Sequence, residues 1–186
     1  IIRNCSFTNN FAGKNGGALN WHDGAYFGEL YNSTFINNTA NRSGAAVYWS
    51  GNNGTIENCS FENNSAKGTN HDAGDMDGDI QINGGDGGAI LWTGSVGNVI
   101  NCNFTNNSAI NRGGAIYLQG LAGGYCENTS IVNCRFEKNS AGLNGGALDW
   151  HTGTRNGTVI NSTFFNNTAA RSGGAIFWNG DIGNIT

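Results

Sequence analysis

Apolar residues recur along this chain in two short blocks that alternate from one end to the other. The first block reads apolar-x-Asn-(Cys/Ser)-x-Phe-x-x-Asn-x-Ala and the second reads Gly-Gly-Ala-(Ile/Leu/Val)-x-Trp. Each block is a short β-branched or aromatic stretch bounded by Gly or Asn, which predicts strands, and no 3.6-residue apolar period is sustained. The Phe of the first block is Phe7, Phe35, Phe61, Phe104, Phe136 and Phe164, and the second block begins at Gly16, Gly44, Gly87, Gly113, Gly145 and Gly173.

The spacing of the repeat predicts how these strands are connected. Successive Phe residues are 28, 26, 43, 32 and 28 residues apart. Strands that recur at this distance without a helical crossover can pair in parallel only by coiling, with each coil stacked on the next. The sequence therefore predicts an all-β fold, a right-handed single-stranded parallel β-helix of about six coils, with residues 1–186 as one domain.

A second period of 129 residues is superimposed on the coils. The octapeptide Asn15–His22 returns as Asn144–His151 with one substitution, Asn20 becoming Asp149. Two coils carry insertions, an acidic loop at 67–86 and an expanded loop at 119–130. We expect the chain to be a fragment of a longer array, with any signal and anchor outside it.

Stacking predicts which side chains point inward. The apolar residue five before Phe, the Cys/Ser position and the Phe are expected to form inward ladders, and the Asn on either side of Phe to lie at bends and bond its counterpart one coil away. The Trp positions, with Leu118 in coil four, are expected to be inward, the alternative being an exposed strip that stacks on sugars. The alternating positions are expected to form an outward binding face: Asn20, Tyr48, Leu91, Tyr117, Asp149 and Phe177.

Four of the five cysteines occupy one ladder position, which Ser33 and Ser162 fill in the other coils. Interchange with Ser indicates a small buried residue, and side chains stacked in parallel are poorly placed for a disulfide. We expect free core thiols, with Cys126, in the expanded loop, as the accessible one.

The composition narrows the classes of partner that the chain is expected to bind. Only 12% of residues are charged and the formal net charge is −4, which argues against a nucleic-acid or anionic-membrane partner. The chain contains no apolar run of 18 residues, so we expect no direct membrane insertion of this segment. Gly is abundant, with 31 residues, and Pro is absent, which fits many tight bends between fully hydrogen-bonded strands.

The acidic loop offers a calcium hypothesis. Carboxylates alternate with other residues there, and Ca²⁺ takes six to eight oxygen ligands. Ile80 stands where an EF-hand requires Gly, so the alternative is a solvated Asp/Gly loop without an ion. The candidate ligands are Asp75, Asp77, Asp79, Asn83 and Asp86.

Two pairs resemble catalytic dyads when they are read alone. His22 adjoins Asp23, and His151 lies two residues after Asp149. Because the two sites recur one super-repeat apart, a structural or ligand-lining role is favoured over acid–base chemistry. The candidate ligand-binding residues are Tyr48, Tyr117, Trp21, Trp150, His22 and His151.

The repeated Gly-Gly-Ala-(Ile/Leu/Val) and Phe-x-x-Asn motifs resemble those of chlamydial polymorphic membrane protein autotransporters. The fuller Asn-Cys-x-Phe-x-x-Asn-Ser-Ala form looks more like adhesin-like surface proteins of methanogenic archaea. The resemblance spans the chain and implies a pectate-lyase-like β-helix in a large extracellular, cell-surface protein that mediates attachment. It supplies no catalytic motif.

We therefore expect a non-enzymatic, monomeric adhesin or stalk domain whose partner is a cell-surface protein or glycan. The alternative is a polysaccharide lyase or hydrolase, which needs a basic residue beside clustered carboxylates on one face. The nine Lys and Arg residues are scattered along the chain, which disfavours it. Ice binding is a third class, disfavoured because regular Thr-x-Thr rows are missing.

Overall fold

The structure is a computed structural model that describes residues 1–68, 84–120 and 125–186. Each coil contributes one short strand to each of four parallel sheets, which we call sheets A, B, C and D in chain order. The first sequence block thus forms three strands rather than one, because two bends interrupt it.

The strand bounds are as follows. Sheet A contains Ile2–Arg3, Glu29–Tyr31, Thr55–Glu57, Asn98–Ile100, Ser130–Val132 and Thr154–Ile160. The long strand Thr154–Ile160 also pairs with Cys126–Glu127, and Asp181–Ile185 pairs with it as a further strand. Sheet B contains Ser6–Thr8, Thr34–Ile36, Ser60–Glu62, Asn103–Thr105, Arg135–Glu137 and Thr163–Phe165. Sheet C contains Phe11–Ala12, Thr39–Ala40, Ser65–Ala66, Ser108–Ala109, Ser140–Ala141 and Thr168–Ala169. Sheet D contains Leu19–Trp21, Val47–Trp49, Ile90–Trp92, Ile116–Leu118, Leu148–Trp150 and Ile176–Trp178.

Every repeat position stacks on its own counterpart, as the sequence predicts. Phe61 pairs with Phe35 on one side and Phe104 on the other, and their rings stack with centroids 4.8 Å apart. This separation is the spacing of neighbouring strands, so the rings stack without distorting the backbone. The predicted inward apolar and Phe ladders are confirmed.

The Asn three after each Phe forms a buried amide ladder. In the middle of the rod, the Asn64 Nδ2 donates to the Asn107 Oδ1 at 2.9 Å and the Asn107 Nδ2 to the Asn139 Oδ1 at 3.0 Å. The left-handed backbone conformation at this bend belongs to the preceding residue, for example Asn63 with a φ of 55°. The Asn three before Phe is also left-handed, at φ 54° for Asn58, which confirms the predicted bend between sheets A and B.

The Gly-Gly pair makes the corner before sheet D for two different reasons. Gly87 has a φ of 65°, a conformation that side chains disfavour. A Cβ on Gly88 would overlap the carbonyl oxygen of Gly114 in the next coil. The corner therefore needs conformational freedom at its first residue and close backbone approach at its second.

The tryptophans form an inward ladder, as predicted. Trp49 and Trp92 are fully buried and stacked with ring centroids 4.9 Å apart, and the Trp92 Nε1 donates to the Gly94 carbonyl at 2.9 Å. The exposed-strip alternative is wrong because the indoles alternate with the outward residues of sheet D.

The five cysteines are free thiols, as predicted, but the accessible one is Cys5 in the first coil, and Cys126 is buried. It is 1% exposed, and its Sγ donates to the Gly94 carbonyl at 3.2 Å. Burial raises the pKa of the Cys126 thiol to about 12. Coil four has Leu118 where other coils have Trp, and we attribute the inward position of Cys126 to the space that the smaller side chain leaves.

Candidate functional site

The outward row of sheet D is buried in the central coils, although it points away from the main core. Tyr48, Leu91 and Tyr117 are 6%, 0% and 1% exposed and form a small hydrophobic cluster of their own. Asp149 continues this row and is 0% exposed, whereas Phe177 in the last coil is half-buried. Alternation correctly predicts the direction of these side chains. Asn20 in the first coil is exposed as predicted, but the predicted exposure is wrong from Tyr48 to Asp149.

A second row lies at the corner immediately before the Gly-Gly pair. The Asp86 backbone N–H donates to the Ser43 Oγ at 3.2 Å, and the Arg112 backbone N–H donates to the Asp86 Oδ1 at 3.1 Å. Arg112 in turn bridges to Asn144 in the next coil. This corner row places Asp86 and Arg112 one above the other, beside the outward row of sheet D.

The outward row of sheet D, the corner row and the residue after Trp150 together supply five polar side chains. We call Asp86, Arg112, Tyr117, Asp149 and His151 the outer cluster. The His151 Nδ1 lies 3.4 Å from the Asp149 Oδ1, and the His151 ring lies 5.5 Å from the Tyr117 ring between centroids. The Arg112 guanidinium acts electrostatically on Asp86, Tyr117 and Asp149.

The outer cluster holds polar atoms that are buried without a hydrogen-bond partner. They include the Asp86 Oδ2, the Asp149 Oδ2 and the Arg112 Nε. The Asp149 Oδ1 and the His151 Nδ1 make no well-aligned hydrogen bond but face each other at 3.4 Å. Two flanking amides, at Gln119 and Asn144, each leave an oxygen unpaired. Within residues 1–68, 84–120 and 125–186, these are the buried side-chain atoms that lack a partner, and all lie on this face of coils three to five.

Burial has the largest effect on the pKa values of the outer cluster. Desolvation raises the pKa of Asp86 well above its ordinary value, and the nearby Asp149 raises it further, while Arg112 opposes the shift. Desolvation also raises the pKa of Asp149, against the opposing effects of His151 and Arg112. The pKa of Tyr117 is raised chiefly by burial as well. Buried polar groups without partners are costly, and groups with such shifts gather at functional sites more often than elsewhere.

The two tryptophans predicted to bind a ligand differ in burial because they lie in different coils. Trp150 is 1% exposed and belongs to the inward ladder, so it cannot contact a ligand at the surface. Trp21 is half-buried in coil one and stacks on Trp49 with centroids 4.7 Å apart. Both tryptophan positions face the core of the rod.

The two histidines of the super-repeat occupy different environments. His22 is exposed and pairs with Asp23, away from the outer cluster. His151 has 18% of its side chain exposed and lies beside Asp149. The two histidines are therefore equivalent in sequence but differ in environment: His22 is solvated, and His151 belongs to the outer cluster.

The calcium hypothesis falls mainly on residues outside the described part of the chain: Asp75, Asp77, Asp79 and Asn83. The fifth candidate, Asp86, is described and is engaged by the Arg112 backbone N–H and guanidinium. Calcium binding by this loop therefore stays a prediction. Among the described residues, no group of three His, Cys, Asp or Glu side chains could hold a metal ion.

A shallow groove of about 350 Å³ lies on the opposite side, between sheets A and B. Its lining includes Asn32, Asn58 and Asn101, and none of its described side chains has a buried unpaired atom. The outer cluster is therefore the stronger candidate site.

Sequence reasoning judged the basic residues to be scattered and so did not find the outer cluster. The alignment of consecutive coils in the sequence contains the information that locates the cluster. Asp86 and Arg112 both precede Gly-Gly in consecutive coils, and Tyr117 and Asp149 both lie between the apolar residue and the Trp position. Aligning the coils before judging charge would have brought these residues together.

Four in-register parallel sheets wound through six coils define a single-stranded parallel β-solenoid. The chain belongs to the right-handed β-helix family, since it matches the family described as "Right handed beta helix region" over residues 1–186. No curated protein and no solved structure matches it. No helix in the described part of the chain is long and apolar enough to cross a membrane.

Proposed function

We propose that this chain is an extracellular repeat domain of a cell-surface adhesin or stalk, which mediates attachment to a glycan or protein partner on a host or microbial cell. The proposal gives the regular coils a mechanical role, because in-register pairing from coil to coil makes a continuous rod. It gives the outer face of sheet D the binding role, and it treats the chain as monomeric and non-enzymatic.

The observation that carries the binding role is the outer cluster, in which the partly exposed His151 lies beside buried polar atoms without a hydrogen-bond partner. A rod that served only as a spacer would gain stability from apolar residues at these positions. Asp149 replaces the Asn20 of the earlier super-repeat, and its burial places a carboxylate where the first copy has a neutral amide. We infer that the cluster is kept for contact with a partner.

Binding of the purified chain to immobilised oligosaccharides and to intact microbial and host cells tests this function. We expect saturable binding by the folded chain and none by the same chain after thermal unfolding. A folded chain that binds no glycan, no cell and no cell-surface protein would contradict the proposal.

A polysaccharide lyase or hydrolase is the second candidate, and the outer cluster favours it specifically. The Arg112 guanidinium lies near two buried carboxyl groups whose pKa values are raised, the arrangement that sequence reasoning judged absent. Carboxyl groups with raised pKa values can act as general acids. Release of reducing ends or unsaturated products from a polysaccharide, lost in Asp149→Asn, would establish this candidate in place of the adhesin.

A further inference from the structure

We propose that the stacked thiols of Cys59 and Cys102 bind one univalent, thiophilic metal ion, such as Cu(I), in a linear two-coordinate site inside the rod. This inference goes beyond the proposed adhesive function and does not depend on it. Three observations carry it: the repeated orientation of the two sulfur atoms, their separation, and a groove that reaches Cys59.

The two sulfur atoms have the same orientation in consecutive coils. The Cys59 Sγ lies 3.3 Å from the carbonyl oxygen two residues before it, and the Cys102 Sγ lies 3.1 Å from the equivalent oxygen. Each sulfur also lies 3.7 Å from a carbonyl oxygen of the preceding coil. The strands that follow are in register, since Phe61 pairs with Phe104 and their ring centroids are 4.8 Å apart. The two sulfurs are therefore separated by about one strand spacing, roughly 4.8 Å.

This separation suits a metal ion that lies between two thiolates. Metal–thiolate bonds are about 2.3 Å long in zinc sites, so two of them in line span about 4.6 Å. A disulfide requires a sulfur–sulfur distance of about 2.05 Å, which side chains stacked in parallel do not reach without backbone movement. The spacing of the coils thus fits bridging by an ion and disfavours a covalent bond between the sulfurs.

The surroundings of the two sulfurs select a soft ion with few ligands. Cys59 and Cys102 belong to the same core cluster as Ile56, Val99 and Phe104. These apolar neighbours supply no third or fourth ligand, whereas a structural zinc ion takes four. Thiolates select soft ions such as Cu(I), while Ca²⁺ takes oxygen ligands. The site uses two ligands, so it does not require the group of three metal-binding side chains that the described residues lack.

Hydrogen bonds stabilise the negative charge that two thiolates bring into the core. The Cys59 backbone N–H donates to the Cys102 Sγ at 3.4 Å. Hydrogen bonds from the Cys102 thiol and the Ser33 backbone lower the pKa of the Cys59 thiol, against the effect of burial. Burial raises the pKa of the Cys102 thiol, but a bound metal ion displaces the proton of a coordinating thiol. Binding releases both thiol protons to solvent, forms two sulfur–metal bonds and transfers no electron.

A groove gives the ion a route to the pair. The groove of about 350 Å³ between sheets A and B has Cys59 in its lining, together with Asn58 and Asn101. Its lining does not include Cys134, the next thiol of the ladder. Since Cys59 is only 2% exposed, the route suits a small ion and not a bulky ligand. The site therefore lies between Cys59 and Cys102, and not between Cys102 and Cys134.

The first experiment titrates the reduced chain with Cu(I) in oxygen-free buffer, against a competing Cu(I) chelator. We expect native mass spectrometry to show one tightly bound ion per chain, and X-ray absorption to show two sulfur ligands. A third ligand, or a nitrogen or oxygen ligand, would overturn the two-coordinate site.

The second experiment compares cysteine variants in the same titration. Cys59→Ser and Cys102→Ser should each lower the affinity for Cu(I) at least about a hundredfold, because a hydroxyl replaces one of the two thiolates. Cys134→Ser and Cys5→Ser are the matched controls and should bind as the unchanged chain does. Cys5 is an exposed thiol of the same ladder, and its neighbour in the next coil is Ser33. Unchanged affinity in Cys102→Ser, or a loss in either control, would contradict the assignment.

Thermal unfolding separates a lost ligand from a lost fold. Ser makes the same two hydrogen bonds on this ladder at Ser162, so metal-free Cys102→Ser should unfold at nearly the same temperature as the unchanged chain. Cu(I) should raise the midpoint of the unchanged chain and leave that of Cys102→Ser where it was. A rise of equal size in both chains would show that the ion binds elsewhere and would overturn the proposal.

Discussion

Cys and Ser interchange along the inner ladder because each side chain makes the same two hydrogen bonds. The Cys102 Sγ donates to the Ile100 carbonyl at 3.1 Å and accepts the Cys59 backbone N–H at 3.4 Å. The Ser162 Oγ donates to the Ile160 carbonyl at 3.0 Å and accepts the Cys134 backbone N–H at 3.1 Å. The position therefore selects a small side chain that both donates and accepts.

Substitutions at Cys102 should follow this requirement. Cys102→Ser keeps both bonds, so the free energy of unfolding should change by about 1 kcal/mol or less. Cys102→Val fills the space but leaves the Cys59 N–H unpaired, which should cost about 1–3 kcal/mol. Urea unfolding followed by tryptophan fluorescence measures both values. Equal stability of the two variants would show that volume alone decides this position.

At the scale of the strand, the direction of each side chain follows from sequence alternation, but its burial does not. Tyr48 and Tyr117 point outward from sheet D as the pattern predicts, yet both are buried. Alternation reports on which side of a sheet a residue lies, and it carries no information about what packs beyond that side. The inward ladders were predictable because stacking supplies their neighbours from the repeat itself.

The residue immediately before a sheet A strand is a glycine that packs against the tryptophan ladder, as at Gly97 before Asn98–Ile100. A Cβ on Gly97 would lie 2.5 Å from the Trp92 Cζ2, far inside van der Waals contact. Gly54 faces Trp49 in the same way in the preceding coil. Sequence reasoning did not single out these glycines, since their distance from Trp varies with the length of the intervening loop.

We expect Gly97→Ala to destabilise the rod by about 1–3 kcal/mol through overpacking against the indole. Gly13→Ala is the matched control, because a Cβ there would meet no atom within 4 Å. Thermal unfolding monitored by circular dichroism compares the two variants. A Gly97→Ala rod as stable as the control would mean that the Trp92 ring shifts at little cost.

At the scale of the whole molecule, the outer cluster makes stability depend on pH. The pKa values of Asp86 and Asp149 are raised in the folded chain, so this chain holds more protons than the unfolded chain between the ordinary value near 4 and each raised value. The free energy of unfolding should therefore fall as the pH rises through this interval. The contribution of these carboxyls is fully present below about pH 4.

The double variant Asp86→Asn, Asp149→Asn should flatten this dependence and unfold at a higher temperature than the unchanged chain at pH 7.5, because neither amide carries a charge to desolvate. Thermal midpoints measured from pH 4 to pH 8 test the expectation, with Asp181→Asn as the exposed control. A double variant whose midpoint keeps the same pH dependence would assign it to other groups.

The direction of the hydrogen bonds has a consequence for a rod under tension. The strands wind around the rod, so the bonds between coils run along its axis and bear a load applied at its two ends. Releasing one coil of 28 residues would free up to about 95 Å of extended chain where the folded coil had spanned about 4.8 Å. We therefore expect each released coil to lengthen roughly twentyfold, which would add about 90 Å to the rod and let an attached cell move away without breaking its hold.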